Sequence, residues 1–219
     1  MCQFIETIRI ERGVVYNLDY HTERMNQTRA VFWPDEPPLN LSESLQPIMN
    51  VEMIKCRVVY SRWIEEILYT PYQIRPVHSL QIVHSDNIDY TYKSTDRSAI
   101  NELYMHKREQ DEILITRNGL LTDTSIANIA LFNGKEWHTP KHPLLKGVQR
   151  AALIDKHLIR EKEITVDQLF NYSQICLFNA MIDFGKIKID VNRELIRIER
   201  LLTSLFSICL NKTHFRHVI

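Results

Sequence analysis

The chain has 219 residues, with 27 Lys plus Arg balanced by 27 Asp plus Glu. At 44% hydrophobic and 25% charged it has ordinary globular composition and enough length to bury a core. The charge balance argues against a general nucleic-acid binder and against a polybasic membrane-surface protein. Only five glycines occur, at 13, 119, 134, 147 and 185, so neither a Walker loop nor a dinucleotide fingerprint is present. The cysteines at 2, 56, 176 and 209 form no C-x-x-C pair, which speaks against a zinc ribbon and gives no metal expectation. They read as reduced, buried thiols. With no long apolar run and no h-region at the start, the expectation is a soluble cytoplasmic protein.

Residues 3–10 alternate and are rich in β-branched side chains, predicting a strand. Residues 11–13 are its turn, and 14–16 return as a second strand. Asp19 is the expected N-cap of a helix over about 20–32, stopped by the prolines of 33–38. Ser42 is the expected cap of a second helix. Strands are expected at 56–61 and 67–69. The stretch 71–76, with two prolines, reads as an extended linker.

Beyond it, 80–84 reads as a strand. Residues 94–110 read as a helix with Ile100, Leu103 and Tyr104 inward and His106 as a further inward candidate. Two hairpins are predicted at Asn118-Gly119 and Asn133-Gly134, since Asn-Gly between apolar runs signals a type I′ turn. A helix should follow Gly147 to about residue 160. Strands should cover 174–178 and 186–189. A last helix would align Leu195, Ile198, Leu202, Leu205 and Cys209. Mixed rather than strictly alternating elements give an α+β or mixed α/β class in two lobes.

Three segments could carry chemistry. Lys93 stands among Tyr90, Tyr92 and Arg97; most lysines are simply solvated, but one desolvated beside other cations would offer a reactive amine. Asp123, with Ser125 and Asn128, joins the hairpins. This is either a polar turn or a carboxylate aimed into a cleft. The run from Thr139 to Arg150 enters a helix at Gly147, whose first N–H groups favour an anion such as phosphate. Every helix has such a start, and here Gly147 also lets backbone approach a ligand. Arg24 could add a charge-assisted bond to the same anion, or be an exposed helix charge.

Taken together, Phe4-Ile5-Glu6-Thr7-Ile8-Arg9, His21-x-x-Arg24, Lys93, Thr122-Asp123-x-Ser125-x-x-Asn128, Thr139-Pro140 and Leu145-x-Gly147-Val148-x-Arg150 resemble the class IV aminotransferases. These are the fold-type IV pyridoxal-phosphate enzymes, and the resemblance covers nearly the whole chain. It implies a mixed α/β, two-domain enzyme with a shortened N-terminal domain, acting as a homodimer on a small amino substrate. The expected division is a small N-terminal domain over 1–72, a linker at 73–78 and a larger C-terminal domain over 79–219. By the resemblance, Lys93 is the Schiff-base lysine and Arg24 the phosphate-binding arginine. Gly147, Val148 and Gln149 form the phosphate-binding helix start, and Asn179 and Ala180 lie near the phosphate and substrate carboxylate. Asp123 stands where the family usually has a glutamate for the pyridine nitrogen, with Ser125 and Asn128 beside it. Gln149 replaces a common threonine.

Within the family, Lys93-x-x-x-Arg97, Asn179-Ala180-Met181 and Val58-Val59-Tyr60-Ser61-Arg62 are similar to aminodeoxychorismate lyases. Ser98 also stands where transaminases carry a tyrosine. The resemblance therefore implies conversion of 4-amino-4-deoxychorismate to 4-aminobenzoate and pyruvate, with Arg62 or Arg97 holding a substrate carboxylate. The alternatives are transamination of branched-chain or D-amino acids, and a non-catalytic cofactor-binding protein of the same fold.

Overall fold

The computed structural model describes residues 2–46 and 52–198. Strand β1 (Phe4–Glu11) turns through Arg12-Gly13, both at positive φ, into β2 (Val14–Val15). Helix α1 (Leu18–Phe32) and the short α2 (Leu41–Ser44) precede β3 (Ile54–Tyr60) and β4 (Ile64–Pro71). These strands form an antiparallel sheet in the order β2-β1-β3-β4. On β1 the side chains of Phe4, Ile8 and Ile10 are buried in one cluster with Met25 of α1. The opposite phase, Ile5 and Thr7, faces a cleft.

Residues 72–79 carry no regular structure. Then follow β5 (Leu80–His84), α3 (Ser98–Tyr104), β6 (Glu112–Arg117), β7 (Leu120–Thr124), β8 (Asn128–Phe132) and β9 (Trp137–Pro140). Helix α4 (Val148–Asp155), β10 (Arg160–Lys162), β11 (Gln174–Asn179), β12 (Ile182–Asp190) and β13 (Ile196–Ile198) complete the described chain. One sheet runs β13-β5-β6-β7 and the other β10-β9-β8-β11-β12. Leu80, Ile82 and Leu114 of the first share a buried cluster with Ile129, Leu131, Ile175 and Leu177 of the second. Helix α3 buries Ile100 with Ile113 and Ile115, and α4 buries Leu153 with Cys176 and Phe178. Successive strand residues thus serve opposite faces, which is why these strands read as continuous apolar runs. The class is mixed α/β, as expected.

Several local expectations change. Asn17, not Asp19, precedes α1; it is left-handed and its amide donates to Gln149 Oε1 across 2.8 Å, leaving Asp19 in the dipole-favourable first turn. Asn40 rather than Ser42 caps α2, because its Oδ1 accepts the Ser42 N–H. The helix expected from 94 begins only at Ser98. Upstream of it Ile5 N–H donates to Lys93 O and Thr95 N–H to Gln3 O, which sews that stretch extended onto β1. His106 is exposed.

At Asn118-Gly119 both residues have positive φ, as a type I′ turn requires. The second hairpin instead has a longer loop, Phe132 pairing with Trp137, and the Asn133 carboxamide accepts from Lys135 and Glu136 N–H. Helix α4 stops at Asp155, before a left-handed His157. Cys2 is exposed rather than buried. Ile196–Ile198 pairs in parallel with β5 instead of entering a helix, and residues 202, 205 and 209 lie outside the described residues. Among the described residues, no helix is long and apolar enough to cross a membrane.

Candidate active site

A cleft of about 330 Å³ lies between the β2-β1-β3-β4 sheet and the α4 and β7–β8 region, within the size range of small-ligand sites. Lys93 enters it half-buried from the loop sewn to β1. Burial, with the like charges of Arg24 and Arg97, brings its amine down to about 8 against the partial support of Glu6 and Asp123.

Asp123 ends up buried because β7 carries it inward before the turn to β8. Its Oδ1 accepts from Asn128 Nδ2 at 2.8 Å and its Oδ2 from Leu145 N–H at 2.9 Å. Burial outweighs those bonds and raises its pKa to about 6. Asn128 Nδ2 also donates to Leu145 O at 2.9 Å. Gly147 lies so close to it that a Cβ there would stand 2.0 Å from Asn128 Oδ1. Glycine is needed at 147 for this approach, not for its φ of −70°.

Arg24 reaches the cleft from α1. Its Nε donates to Glu6 Oε1 at 2.9 Å and its Nη2 to Glu6 Oε2 at 2.5 Å, a two-point pairing. Its Nη1 lies 3.4 Å from Lys146 O, at the threshold of α4. Glu6 is fully buried in the apolar phase of β1 and also meets His21 Nδ1 at 2.6 Å. Arg24 and His21 draw its pKa to about 2 although burial alone would raise it. Burial lowers the His21 pKa, and its Nε2 has no hydrogen-bond partner among the described residues. Glu6 and His21 were not singled out from the sequence as site residues. The signal was a carboxylate in phase with Phe4, Ile8 and Ile10.

Ser125, Asn128, Gly147, Val148, Asn179 and Ala180 all line the cleft with Lys93, Arg24 and Asp123. Asn179 Nδ2 donates to Ile126 O, and its Oδ1 accepts from Met181 and Ile182 N–H, holding that loop against the β7–β8 turn. Arg97 also lines the cleft; its Nη2 donates to Ser125 O at 2.7 Å and its guanidinium stacks on Tyr90. Arg62 and Tyr92 fall outside the cleft. Arg62 lies in the β3–β4 turn beside Glu36, exposed and outside the cleft, because Arg29 takes its carbonyl. The Gln149 side chain turns to Asn17, leaving at the helix start its backbone N–H, the group the resemblance assigns to the phosphate. Tyr92 packs on Phe4 and Phe32 instead of the cleft.

The donor set fits a phosphorylated pyridine aldehyde. It offers an amine poised near neutrality, a buried carboxylate for a ring nitrogen, and an oriented guanidinium beside a helix start for a phosphate.

The family model for amino-transferase class IV matches residues 3–189. An uncharacterised protein of Haemophilus influenzae is 35% identical over 83% of this chain and 98% of its own length. A Schizosaccharomyces pombe protein provisionally named aminodeoxychorismate lyase is 25% identical over 77% of this chain and 81% of its own. A solved structure from Haemophilus somnus 129PT, provisionally described as a 4-amino-4-deoxychorismate lyase, superposes with a TM-score of 0.78. It is 34% identical, over 83% of this chain and 97% of that one.

Proposed function

This chain belongs to the class IV aminotransferase family, and from that premise we propose that it is the lyase that converts 4-amino-4-deoxychorismate to 4-aminobenzoate and pyruvate. Pyridoxal phosphate is the cofactor of the family. The observation that carries the reading is the meeting of Lys93, Asp123 and Arg24 on one cleft whose wall also includes Arg97. The Haemophilus somnus protein's description favours the lyase over a transaminase. A homodimer in the cytoplasm, serving folate synthesis, completes the proposal.

When bound, pyridoxal phosphate supplies an electron sink for the substrate's amine carbon. The chain's own residues do the rest. Near pH 8 about half of the Lys93 amine is neutral, so Nζ can act as nucleophile and then carry a proton to and from the substrate carbon. Above pH 6 the Asp123 carboxylate is ionised and offers an anion to a ring N–H. Asn128 and Leu145 fix its direction, so it cannot turn away when the site fills. Arg24, held at two points by Glu6, presents Nη1 towards the start of α4, where backbone N–H groups await an anion. Val148 and Leu144 are buried on the cleft wall and limit water at that end.

Cofactor-loaded protein is to be given 4-amino-4-deoxychorismate, with 4-aminobenzoate and pyruvate followed together. Equal amounts of both, abolished in Lys93→Ala, are expected. Exchange of amino groups between an amino acid and 2-oxoglutarate, with no aminobenzoate, would instead establish a transaminase.

A further inference from the structure

The charges around the cleft do not cancel, and the surplus is localised. Arg24 is matched by Glu6, and Lys93 shares the cleft with Asp123, which is the one carboxylate lining it among the described residues. Two cations remain, Lys55 and Arg97. Lys55 comes from β3, on the face of the β2-β1-β3-β4 sheet that bears Ile5 and Thr7, and pairs in register with Arg9. The neighbouring cations of that face are matched. Arg9 binds Glu11 and Asp183, and Arg57 lies 3.5 Å from Glu66. Lys55 has no acidic partner among the described residues; its ammonium lies 5.9 Å from the centre of the Tyr72 ring, another cleft residue.

Arg97 lines the same cleft. It is braced by Ser125 O and Tyr90, and its guanidinium likewise lacks a carboxylate among the described residues. Arg24, rather than either of these, meets Lys146 O at the threshold of α4. Two unmatched cations lining one cleft suit two anionic groups, since a single carboxylate would leave one charge uncompensated.

We propose that Lys55 and Arg97 form a two-point clamp for carboxylates, so that the substrate is an amine bearing two carboxylates and Lys55 is a specificity-determining residue. This deepens the reading of the cleft as an amine-substrate site and rests on it. Lys55 meets one carboxylate beside Tyr72, and Arg97 the other, within reach of Lys93. A branched-chain amino acid, with one carboxylate, would leave Lys55 idle.

The test uses cofactor-loaded protein and two probes without an amine: chorismate, with two carboxylates, and benzoate, with one. Calorimetric titration should give chorismate at least a tenfold advantage in wild type. Lys55→Ala should weaken chorismate about tenfold and benzoate less than twofold, with Lys55→Arg restoring the difference. Lys55→Gln, which keeps the stem over Tyr72, should behave like the alanine variant; the bound-cofactor absorbance shows that each variant is folded. Equal affinity for the two probes in wild type, or equal losses for both in Lys55→Ala, overturns the clamp. Failure of the lyase reading is distinct. It appears as absent aminobenzoate while chorismate binding still depends on Lys55, whereas failure of the clamp appears as aminobenzoate formation whose KM is unchanged by Lys55→Ala.

Discussion

Asp123→Asn should make the cofactor-free protein more stable at pH 8 while abolishing turnover of the loaded enzyme. Asp123 is buried, and its pKa rises from 3.8 to about 6 in the folded state. A raised carboxylate pKa means that the native state resists ionisation. The penalty is absent below pH 3.8 and complete above pH 6. A shift of roughly two units, at about 1.4 kcal/mol each, makes it about 3 kcal/mol. An asparagine removes the charge but presents one N–H towards either Leu145 N–H or Asn128 Nδ2, at a loss of about 1 kcal/mol. The net gain of about 2 kcal/mol corresponds to a rise of about 4–8 °C in a chain of this size. At pH 5, between the two pKa values, the linkage penalty falls to roughly half, so the advantage should shrink to about 1–2 °C. Thermal melts of both proteins at pH 8 and pH 5 decide it. A variant that melts below wild type at pH 8, or with an equal advantage at both pH values, would refute the reasoning.

Glu6→Gln should act in the opposite direction. It removes the buried charge that matches half-buried Arg24, lowering stability by about 3 kcal/mol. Because the Glu6 pKa is depressed to about 2, its contribution is present above pH 4.5 and lost as pH falls towards 2. Wild type and variant should therefore converge in acid melts, and parallel curves would contradict this. Lys93 in the cofactor-free protein should react with an amine-selective reagent with a midpoint near pH 8, followed by peptide mass spectrometry; a midpoint above 10 would show an unperturbed amine. Gly147→Ala places a Cβ on Asn128 Oδ1, so Asn128 must release Asp123 or the loop must move. Cofactor affinity, read from bound-cofactor absorbance, should fall at least tenfold, and an unchanged affinity would show that the loop yields without cost.

How much of this was legible in the sequence depended on whether chemistry or register decided the matter. Lys93, Asp123 and Gly147 stand in short motifs with characteristic neighbours, and the cleft gathers them. Arg62 lies in a motif just as suggestive, yet it sits in the turn between β3 and β4 and faces away. Local pattern does not tell which side of a turn a side chain takes. The dipeptide Asn-Gly occurs twice between apolar runs and gives two different loops. At 118–119 the backbone adopts the type I′ conformation, while Asn133 spends its carboxamide on the following N–H groups. Lys55 was invisible because its meaning depends on its pairing with Arg9 and on Arg9 being satisfied by Asp183, 174 residues further on.

Glu6 was readable in principle. Along β1 the even positions 4, 8 and 10 are apolar and face α1, so a carboxylate at position 6 violates the period and requires a partner there. His21 and Arg24, three apart and hence on one face of α1, are the residues that can meet it. The sign of each pKa shift then separates two kinds of buried charge in the cleft. Glu6 is more acidic folded than unfolded, so its ionisation strengthens the fold and holds the Arg24 guanidinium in place at the cleft. Asp123 and Lys93 are shifted towards their neutral forms, so their charges weaken the fold unless something in the cleft compensates them. A cationic ring nitrogen against Asp123 would draw its pKa down again, and a covalent partner for the Lys93 amine would remove the need to bury its charge. Ligand binding should therefore stabilise this protein by more than its contacts alone provide, through the two groups whose folded-state ionisation is unfavourable.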